Sequence, residues 1–323
     1  MSRVLGIETS CDETGVAIVE DGCRILANVV ASQAHLHARF GGVVPEIASR
    51  RHIECIGQLT QSVLDESPGH VDAVAATYAP GLMGSLLVGV NFAKSLAWAW
   101  GVPYVPVHHL EGHLFSAFLN GASPEFPFLA LIVSGGHTCL VWCSQPHQYE
   151  TLGATRDDAI GECFDKVAWL LDLEYPGGPS IQREAEHGNP RAVAFPRAMV
   201  KTDSLEFSYS GLKTAVLYTL RKNGIPRADL AASFQCAAID VLMIKTQLAI
   251  EKTGAKRLVV AGGVAANRLL RQRLEREIAI PVSVPPLSLC VDNGAMIAAA
   301  GHSRLQHGLV GNLHSSAQPT LPL

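Results

Sequence analysis

The sequence predicts an α/β protein in which one structural unit occurs twice, and three observations lead there. Val4 to Ile7 is an apolar run that stops at the polar turn Glu8-Thr-Ser-Cys-Asp-Glu-Thr-Gly15 and resumes as Val16-Ala-Ile-Val19. Phe128-Leu-Ala-Leu-Ile-Val133, Ser134-Gly-Gly-His-Thr138 and Cys139-Leu-Val-Trp142 repeat that order of strand, small polar turn and strand. Between and after these hairpins, short apolar strands alternate with helical periodicities, the pattern of α/β folds. At 323 residues, 48% hydrophobic and 17% charged, with mean hydropathy +0.21, the chain has the length of about two domains and enough apolar content to fill their cores.

Taken in order, the first hairpin is followed by a third strand over residues 25–32 and a helix over 44–65 whose Ile47, Ile53, Ile56, Leu59 and Val63 form one stripe. A strand over 71–78, the Gly/Pro loop 79–84, a helix over 85–100 and a strand over 102–107 complete the first half. The second hairpin leads to a helix opening at Asp157 and running to about Leu171, where acids in the first turn suit the helix dipole but Asp165, two turns on, is left without that explanation. Tyr175-Pro-Gly-Gly-Pro179 reads as a rigid turn with two unhindered amides, Phe207 to Thr214 leads into a helix, and 231–252 is a long amphipathic helix. Arg257-Leu-Val-Val-Ala-Gly-Gly then gives a strand and a glycine pair before a helix N-terminus, a placement suited to nucleotide phosphates. The last helix opens near Asp292.

Chemistry concentrates in three places. His109 and His113 fall at i and i+4 on a helix that begins where a strand ends, so both imidazoles share one face and can hold one divalent cation. Glu111 lies about 200° round that helix from His109 and faces away, unlike the glutamate of a HExxH peptidase. Asp292, at or near a helix N-cap, is placed by type to be either a cap or a third ligand. The turn Glu8 to Gly15 offers hydroxyls and backbone N–H groups to an anion, with Asp12 and Glu13 able to hold a cation or take a proton. In the second half, Gly135 and Gly136 allow a ligand to approach the backbone closely, because a Cβ there would collide with it.

Composition narrows the classes. The N-terminus has no apolar leader pattern, and the two charge-free stretches, 73–93 and 126–149, are each broken by glycine or proline turns before they span the ~20 residues a membrane helix needs. A soluble, cytoplasmic protein without a membrane partner is expected. The eight cysteines are scattered without a CxxC pair, so reduced thiols are expected, not a disulfide framework or a zinc ribbon. With a net charge of −4, a nucleic acid would have to be met by a local basic patch. Candidates are Arg50-Arg51-His52 and the helix bearing Arg268, Arg271, Arg273 and Arg276.

These segments together resemble the TsaD family, whose bacterial members belong to a universal group once labelled O-sialoglycoprotein endopeptidase. The matching pieces are ETSCDETG at 8–15, GGVVPEIASRRH at 41–52, HHLEGH at 108–113, VSGGHT at 133–138, the helix around Phe164-Asp-Lys with PGGP, FSYSGLKT at 207–214, GGVAANRLLR at 262–271 and DNGAMIA at 292–298. The resemblance implies duplicated ribonuclease-H-like domains of the actin, hexokinase and heat-shock chaperone type, over residues 1–124 and 125–323, with a nucleotide and metal site in the interdomain cleft. The C-terminal helix is expected to pack back on the first domain.

It further implies transfer of threonylcarbamoyl from threonylcarbamoyl-AMP to the exocyclic amine of the adenosine 3′ to the anticodon, in tRNAs that read codons beginning with A. By the family pattern His109, His113 and Asp292 bind one divalent metal, iron or zinc with Fe2+ favoured. Ile132, Val133, Ser134, Gly135 and Gly136, with Asp165, Gly178 and Asn267, hold the adenylate. Gln182 stands where many relatives carry an acid that touches the nucleotide. The implied partners are tRNA, an inert TsaB-like paralogue and a TsaE-like ATPase, with the helix over 44–65 as the candidate interface. From the residues alone, Asp12 and Glu13 are the candidates for relieving the attacking amine of its proton. Competing readings are a carbamoyltransferase acting on a small molecule through a carbamoyl-adenylate, a sugar kinase of the same fold and a non-catalytic nucleotide-binding scaffold; a metalloprotease, the historic label, fails on the Glu111 geometry.

Overall fold

The first hairpin forms from the two apolar runs that flank the polar turn, each buried along its length. β1 (Arg3–Glu8) pairs antiparallel with β2 (Glu13–Glu20), Val4 facing Val19 and Glu8 facing Gly15, in a computed structural model that describes residues 1–121, 123–222 and 224–323. β3 (Arg24–Ser32) follows, then the short α1 (Ala34–His37), a 3-10 turn, α2 (Pro45–Glu66), β4 (Ala73–Ala79), α3 (Met83–Trp100), β5 (Tyr104–His108), α4 (His109–Phe115) and a second 3-10 turn. The five strands form one sheet in the order β3-β2-β1-β4-β5, with β4 and β5 parallel to β1. Period-two alternation splits its side chains between two cores. Leu5, Ile7, Val16 and Ile18 pack with Ile56 and Val63 of α2 and Leu86 and Val90 of α3. Val4, Ala17, Val19, Ala75 and Val105 pack instead with Ala295 to Ala300 of the last helix, α10 (Gly294–Gln306).

α10 belongs to that unit because small residues let backbone meet backbone. A Cβ on Gly6 would lie 2.2 Å from the Gly294 carbonyl oxygen, and one on Gly15 would lie 2.6 Å from the Gly294 nitrogen. Chain contacts accordingly divide the protein into Met1–Pro124 with Pro285–Leu323, and Glu125–Val284. The tail after α10 stays on the first unit, where Gln318 N–H donates to the Tyr78 carbonyl and Gly311 N–H to that of Tyr104.

The second unit repeats the topology. β6 (Phe128–Val133), β7 (Thr138–Gln145) and β8 (Gln148–Ala154) are antiparallel neighbours. After α5 (Ile160–Leu170), α6 (Gly177–Ala185), α7 (Ser210–Leu220) and α8 (Arg227–Thr253) come β9 (Leu258–Ala261), α9 (Arg268–Glu277) and β10 (Val282–Ser283). The order β10-β9-β6-β7-β8, with β9 parallel to β6, is the first sheet's order with corresponding strands. The duplication inferred from two hairpins therefore extends to both whole sheets.

Several elements differ from expectation for local reasons. β8 was not foreseen because it is an edge strand whose polar residues Gln148, Glu150 and Thr151 give no apolar run. Tyr175 to Pro179 opens α6 instead of closing a turn, since Gly177 N–H is held by Asp165 Oδ1 at 2.7 Å. The stripe on α2 is narrower than the sequence suggests: Ile56 and Val63 are buried but Ile53 is 65% exposed. α8 is the one helix among the described residues long and apolar enough to cross a membrane, yet 67% of its most apolar stretch is buried within the protein, as suits a core helix.

Candidate metal and nucleotide sites

The first unit builds a cluster of imidazoles and carboxylates. β5 hands the chain to α4, whose N-cap is His108: its Nδ1 accepts Leu110 N–H at 3.2 Å and its Nε2 donates to the Leu321 carbonyl at 3.0 Å. One residue on, His109 and His113 stand on the same face with ring centroids 4.6 Å apart. Asp292 reaches them from the approach to α10, its Oδ1 lying 3.7 Å from His109 Nε2 and 3.2 Å from His113 Nε2. Capping of α10 falls to Asn293, whose side chain accepts Met296 N–H, so helix capping does not account for Asp292. One donor atom from each of the three residues lies within 4.8 Å of the others. A tetrahedral ion with bonds of about 2 Å holds its ligand atoms roughly 3.3 Å apart, close to this arrangement.

Two observations test whether the residues suit a cation, and both favour it. Both ring nitrogens of His113 are buried without a hydrogen-bond partner among the described residues, although Nε2 is within ion-pair distance of Asp292. The carboxylate thus approaches off the line of an N–H donor, as two ligands of one ion do. The site also carries uncompensated negative charge. Burial and then the neighbouring Asp12 and Asp292 push the Glu13 carboxyl up to about 9, and burial with the same acids pushes the Cys11 thiol up. Burial alone would lower His109, but Asp292 and Glu8 together push it up to about 9. A divalent ion supplies the positive charge that these groups otherwise draw from protons.

The acidic turn sits beside this cluster. Asp12 is buried and Glu13 accepts the Ser32 hydroxyl at 3.1 Å. The turn is fixed by His52 of α2, which meets the Cys11 carbonyl through Nε2 at 2.9 Å and Thr14 Oγ1 through Nδ1 at 2.7 Å. Glu111 is buried against Arg304 of α10 at 2.9 Å, so its carboxylate is committed to an ion pair.

In the second unit the glycine turn after β6 and the Gly262 loop after β9 meet at the carboxyl ends of those strands, while Asp165 and Gly178 lie on α5 and α6. The turn after β6 closes through Ser134 N–H to the His137 carbonyl and His137 N–H to Ser134 Oγ. Gly161 and Glu162 N–H donate to the Ser134 and Gly135 carbonyls, docking the start of α5 on the turn, and Gly262, at φ +96°, approaches the Val133 carbonyl. Gly135 and Gly136 are exposed with open space where a Cβ would stand, and the space beside Gly178 is also open. Asp165 holds the start of α6, and Asn267 caps α9 by accepting Leu270 N–H while donating to Gln235 at 2.8 Å. Ile132 and Val133 differ from the rest. Their side chains are fully buried, and Ile132 is paired with Cys139 on one side and Ala261 on the other. Gln182 accepts Arg268 N–H at 2.7 Å and so completes the cap of α9.

The two basic clusters are largely neutralised. Arg268 pairs with Glu186, Arg273 with Asp240 and Glu277, and Arg276 with Glu277, while Arg51 pairs with Glu54 and His52 is buried.

Residues that sequence reasoning missed are those whose partners are remote. Glu8, His52 and His108 all hold the first site in place, and their contacts span 38 to 213 positions.

Two five-stranded mixed sheets of equal topology, with helices packed on them, define an α/β protein of the duplicated actin and hexokinase type, carrying a His, His, Asp cluster in one unit and an open glycine turn in the other. The family model described as TsaD, tRNA N6-adenosine threonylcarbamoyltransferase, matches residues 24–299, and the chain belongs to that family.

Solved structures agree on the fold. The activator of 2-hydroxyisocaproyl-CoA dehydratase from Clostridium difficile, with bound ADPNP, is 13% identical with a TM-score of 0.53, over 97% of this chain and 100% of that one. Full-length HypF in its phosphate- and nucleotide-bound form is 14% identical with a TM-score of 0.63, over 98% of this chain and 47% of that longer one. Component A of (R)-2-hydroxyglutaryl-CoA dehydratase from Acidaminococcus fermentans is 15% identical with a TM-score of 0.56, over 95% and 100%.

Proposed function

We propose that this chain transfers the threonylcarbamoyl group from threonylcarbamoyl-AMP to N6 of the adenosine 3′ to the anticodon, in tRNAs reading codons that begin with A, and releases AMP. The observation that carries the reading is the family match over residues 24–299. The cluster His109, His113 and Asp292 and the open turn at Gly135 and Gly136 support it.

The chemistry asks for few protein groups. A carbamic–phosphoric anhydride is already activated, so the amine attacks the carbamoyl carbon, the bond from that carbon to the phosphate oxygen breaks, and the amine sheds a proton. The protein binds the adenylate, neutralises the departing phosphate and orients the amine. The backbone of Ser134, Gly135 and Gly136, with Gly178 beside the start of α6, is the surface for the adenylate, supported by Asp165 and Asn267. Ile132 and Val133 carry that turn from the buried end of β6. Two of the structural neighbours were captured with ADPNP or with nucleotide and phosphate.

His109, His113 and Asp292 would hold one divalent ion; two imidazoles and a carboxylate suit iron or zinc, and the family resemblance favours Fe2+. Such an ion supplies Lewis acidity and a template for an oxygen of the acyl-phosphate or leaving group. Asp12 or Glu13 takes the proton from the amine. Asp12→Asn and Glu13→Gln variants with unchanged turnover would remove that assignment.

The reaction places the chain in the cytoplasm with tRNA. The outer face of α2, where Ile53 stays exposed, is offered to a TsaB-like paralogue, and a TsaE-like ATPase completes the set. The test supplies labelled threonylcarbamoyl-AMP and unmodified tRNA to the purified chain with those partners. Label in the tRNA with wild type and none with His109→Ala is expected. Label appearing instead in a small carbamoyl acceptor would move the reading to a carbamoyltransferase.

A further inference from the structure

β1 ends on a fully buried carboxylate whose position neither helix capping nor sheet packing requires. Both oxygens of Glu8 are occupied. Oε1 accepts Ser10 N–H at 2.5 Å, while Oε2 accepts the Thr77 hydroxyl at 2.6 Å and lies 3.0 Å from His109 Nδ1. The three groups come from the acidic turn, from β4 and from the first residue of α4, so one side chain ties three elements together. Removing a carboxylate from water costs several kcal/mol, and a tie between strands alone is made as well by a neutral residue. A charged acceptor does one thing a neutral one does not: it dictates which imidazole nitrogen carries the proton.

Nδ1 of His109 faces Glu8 and Ser10, and Nε2 faces Asp292. With Nδ1–H donated to the carboxylate, Nε2 keeps its lone pair in the direction of Asp292 and His113. We propose that Glu8 is the positioning residue of the metal site. It fixes His109 in the Nδ1–H tautomer and, through Ser10 N–H, holds the turn bearing Asp12 and Glu13 against the same ring. The assignment rests on the metal-site reading above, and the ligand class is a divalent transition-metal ion.

Glu8→Gln separates this role from a structural one. The amide offers one acceptor where the carboxylate offers two. With its NH2 on the Oε1 side it meets the Ser10 N–H donor to donor. Turned the other way, it donates to His109 Nδ1 and moves the imidazole proton to Nε2, the nitrogen a metal needs. Thr77→Val removes a different donor from the same oxygen and leaves the tautomer alone.

The full chain is titrated with zinc ions against a chromophoric chelator. For Glu8→Gln the zinc Kd is expected to rise about 10- to 100-fold, the usual consequence of losing such a partner. Thr77→Val should lower the melting temperature while leaving the Kd near that of the wild type. Wild-type affinity in Glu8→Gln would overturn the proposal. Failure of the wild type itself to bind zinc would overturn the metal-site reading first and this assignment with it. Should Glu8→Gln not fold, imidazole 15N spectra of the zinc-loaded wild type decide: His109 protonated at Nδ1 is expected, and zinc on Nδ1 would refute the role.

Discussion

Gly294→Ala should lower both the stability of the first unit and its metal affinity, whereas Gly301→Ala, seven positions along the same helix, should lower stability alone. A Cβ on Gly294 would lie 2.5 Å from the Ala17 nitrogen and the Val16 carbonyl carbon, and 2.7 Å from Val16 Cα, all backbone atoms of an inner strand. Carbon atoms rest at about 3.5–4.0 Å, so the start of α10 must withdraw by about 1 Å. Overpacking of this kind costs roughly 1–3 kcal/mol, which at about 2–4 °C per kcal/mol lowers the melting temperature by roughly 2–12 °C. Asp292 sits two residues upstream, and metal bonds tolerate only about 0.2 Å, so its carboxylate leaves bonding range of an ion held by the two histidines. The zinc Kd should therefore rise by about tenfold or more. A Cβ on Gly301 would meet the Ala75 Cβ at 2.4 Å, a comparable overpacking two turns away from Asp292. Thermal melts and chelator competition on both variants check this. Wild-type zinc affinity in Gly294→Ala, or equal affinity loss in the two variants, would refute the idea that backbone contact between α10 and β2 sets the position of Asp292.

Three further outcomes are expected. Gly136→Val should melt near the wild-type temperature, since the space around it is open, but should lose AMP binding by equilibrium dialysis; retained binding would remove the glycine turn from the adenylate site. Lys245→Ala should destabilise the second unit by about 3 kcal/mol in urea titration, because the buried ammonium donates to the Met199, Thr202 and Ser204 carbonyls at 2.6, 3.3 and 2.5 Å, and these would be left without it. Asp157→Ala should cost about 1 kcal/mol, as Asp157 accepts Tyr209 and Ser210 N–H at the start of α7. Burial works to raise the Asp157 carboxyl, but hydrogen bonds from Ser208, Tyr209 and Ser210 outweigh it and hold it below its usual value. Its contribution is therefore full above about pH 4 and lost as pH falls through the lower folded value, so melts of wild type and variant should converge at acid pH.

The histidine pair was legible because i and i+4 on a helix is a local relation, and so was each hairpin. Asp292 was legible only in type: its sequence position near a helix start fits a cap as well as a ligand, and only the structure shows Asn293 taking the capping role. Glu8 was hidden because its partners Thr77 and His109 lie 69 and 101 positions away. The packing of α10 on the first unit, which the family resemblance implied, rests on glycine and alanine contacts with β1 and β2 that hydropathy alone does not distinguish from any apolar helix. Charge in a sequence says nothing of partners: Arg268, Arg273 and Arg276 of the basic clusters all meet carboxylates remote or local, which composition does not show.

Nucleoside mass spectrometry tests the proposed metal-dependent transfer to tRNA. The chain is stripped of metal with a chelator, divided, and half is reloaded with Fe2+ or Zn2+ under anaerobic conditions before addition of threonylcarbamoyl-AMP, partner proteins and unmodified tRNA. Threonylcarbamoyl-adenosine from the reloaded half, and only background from the stripped half and from reloaded His113→Ala, is the predicted result. Equal product from stripped and reloaded protein would contradict the role given to His109, His113 and Asp292, and no product from any sample would contradict the transfer itself.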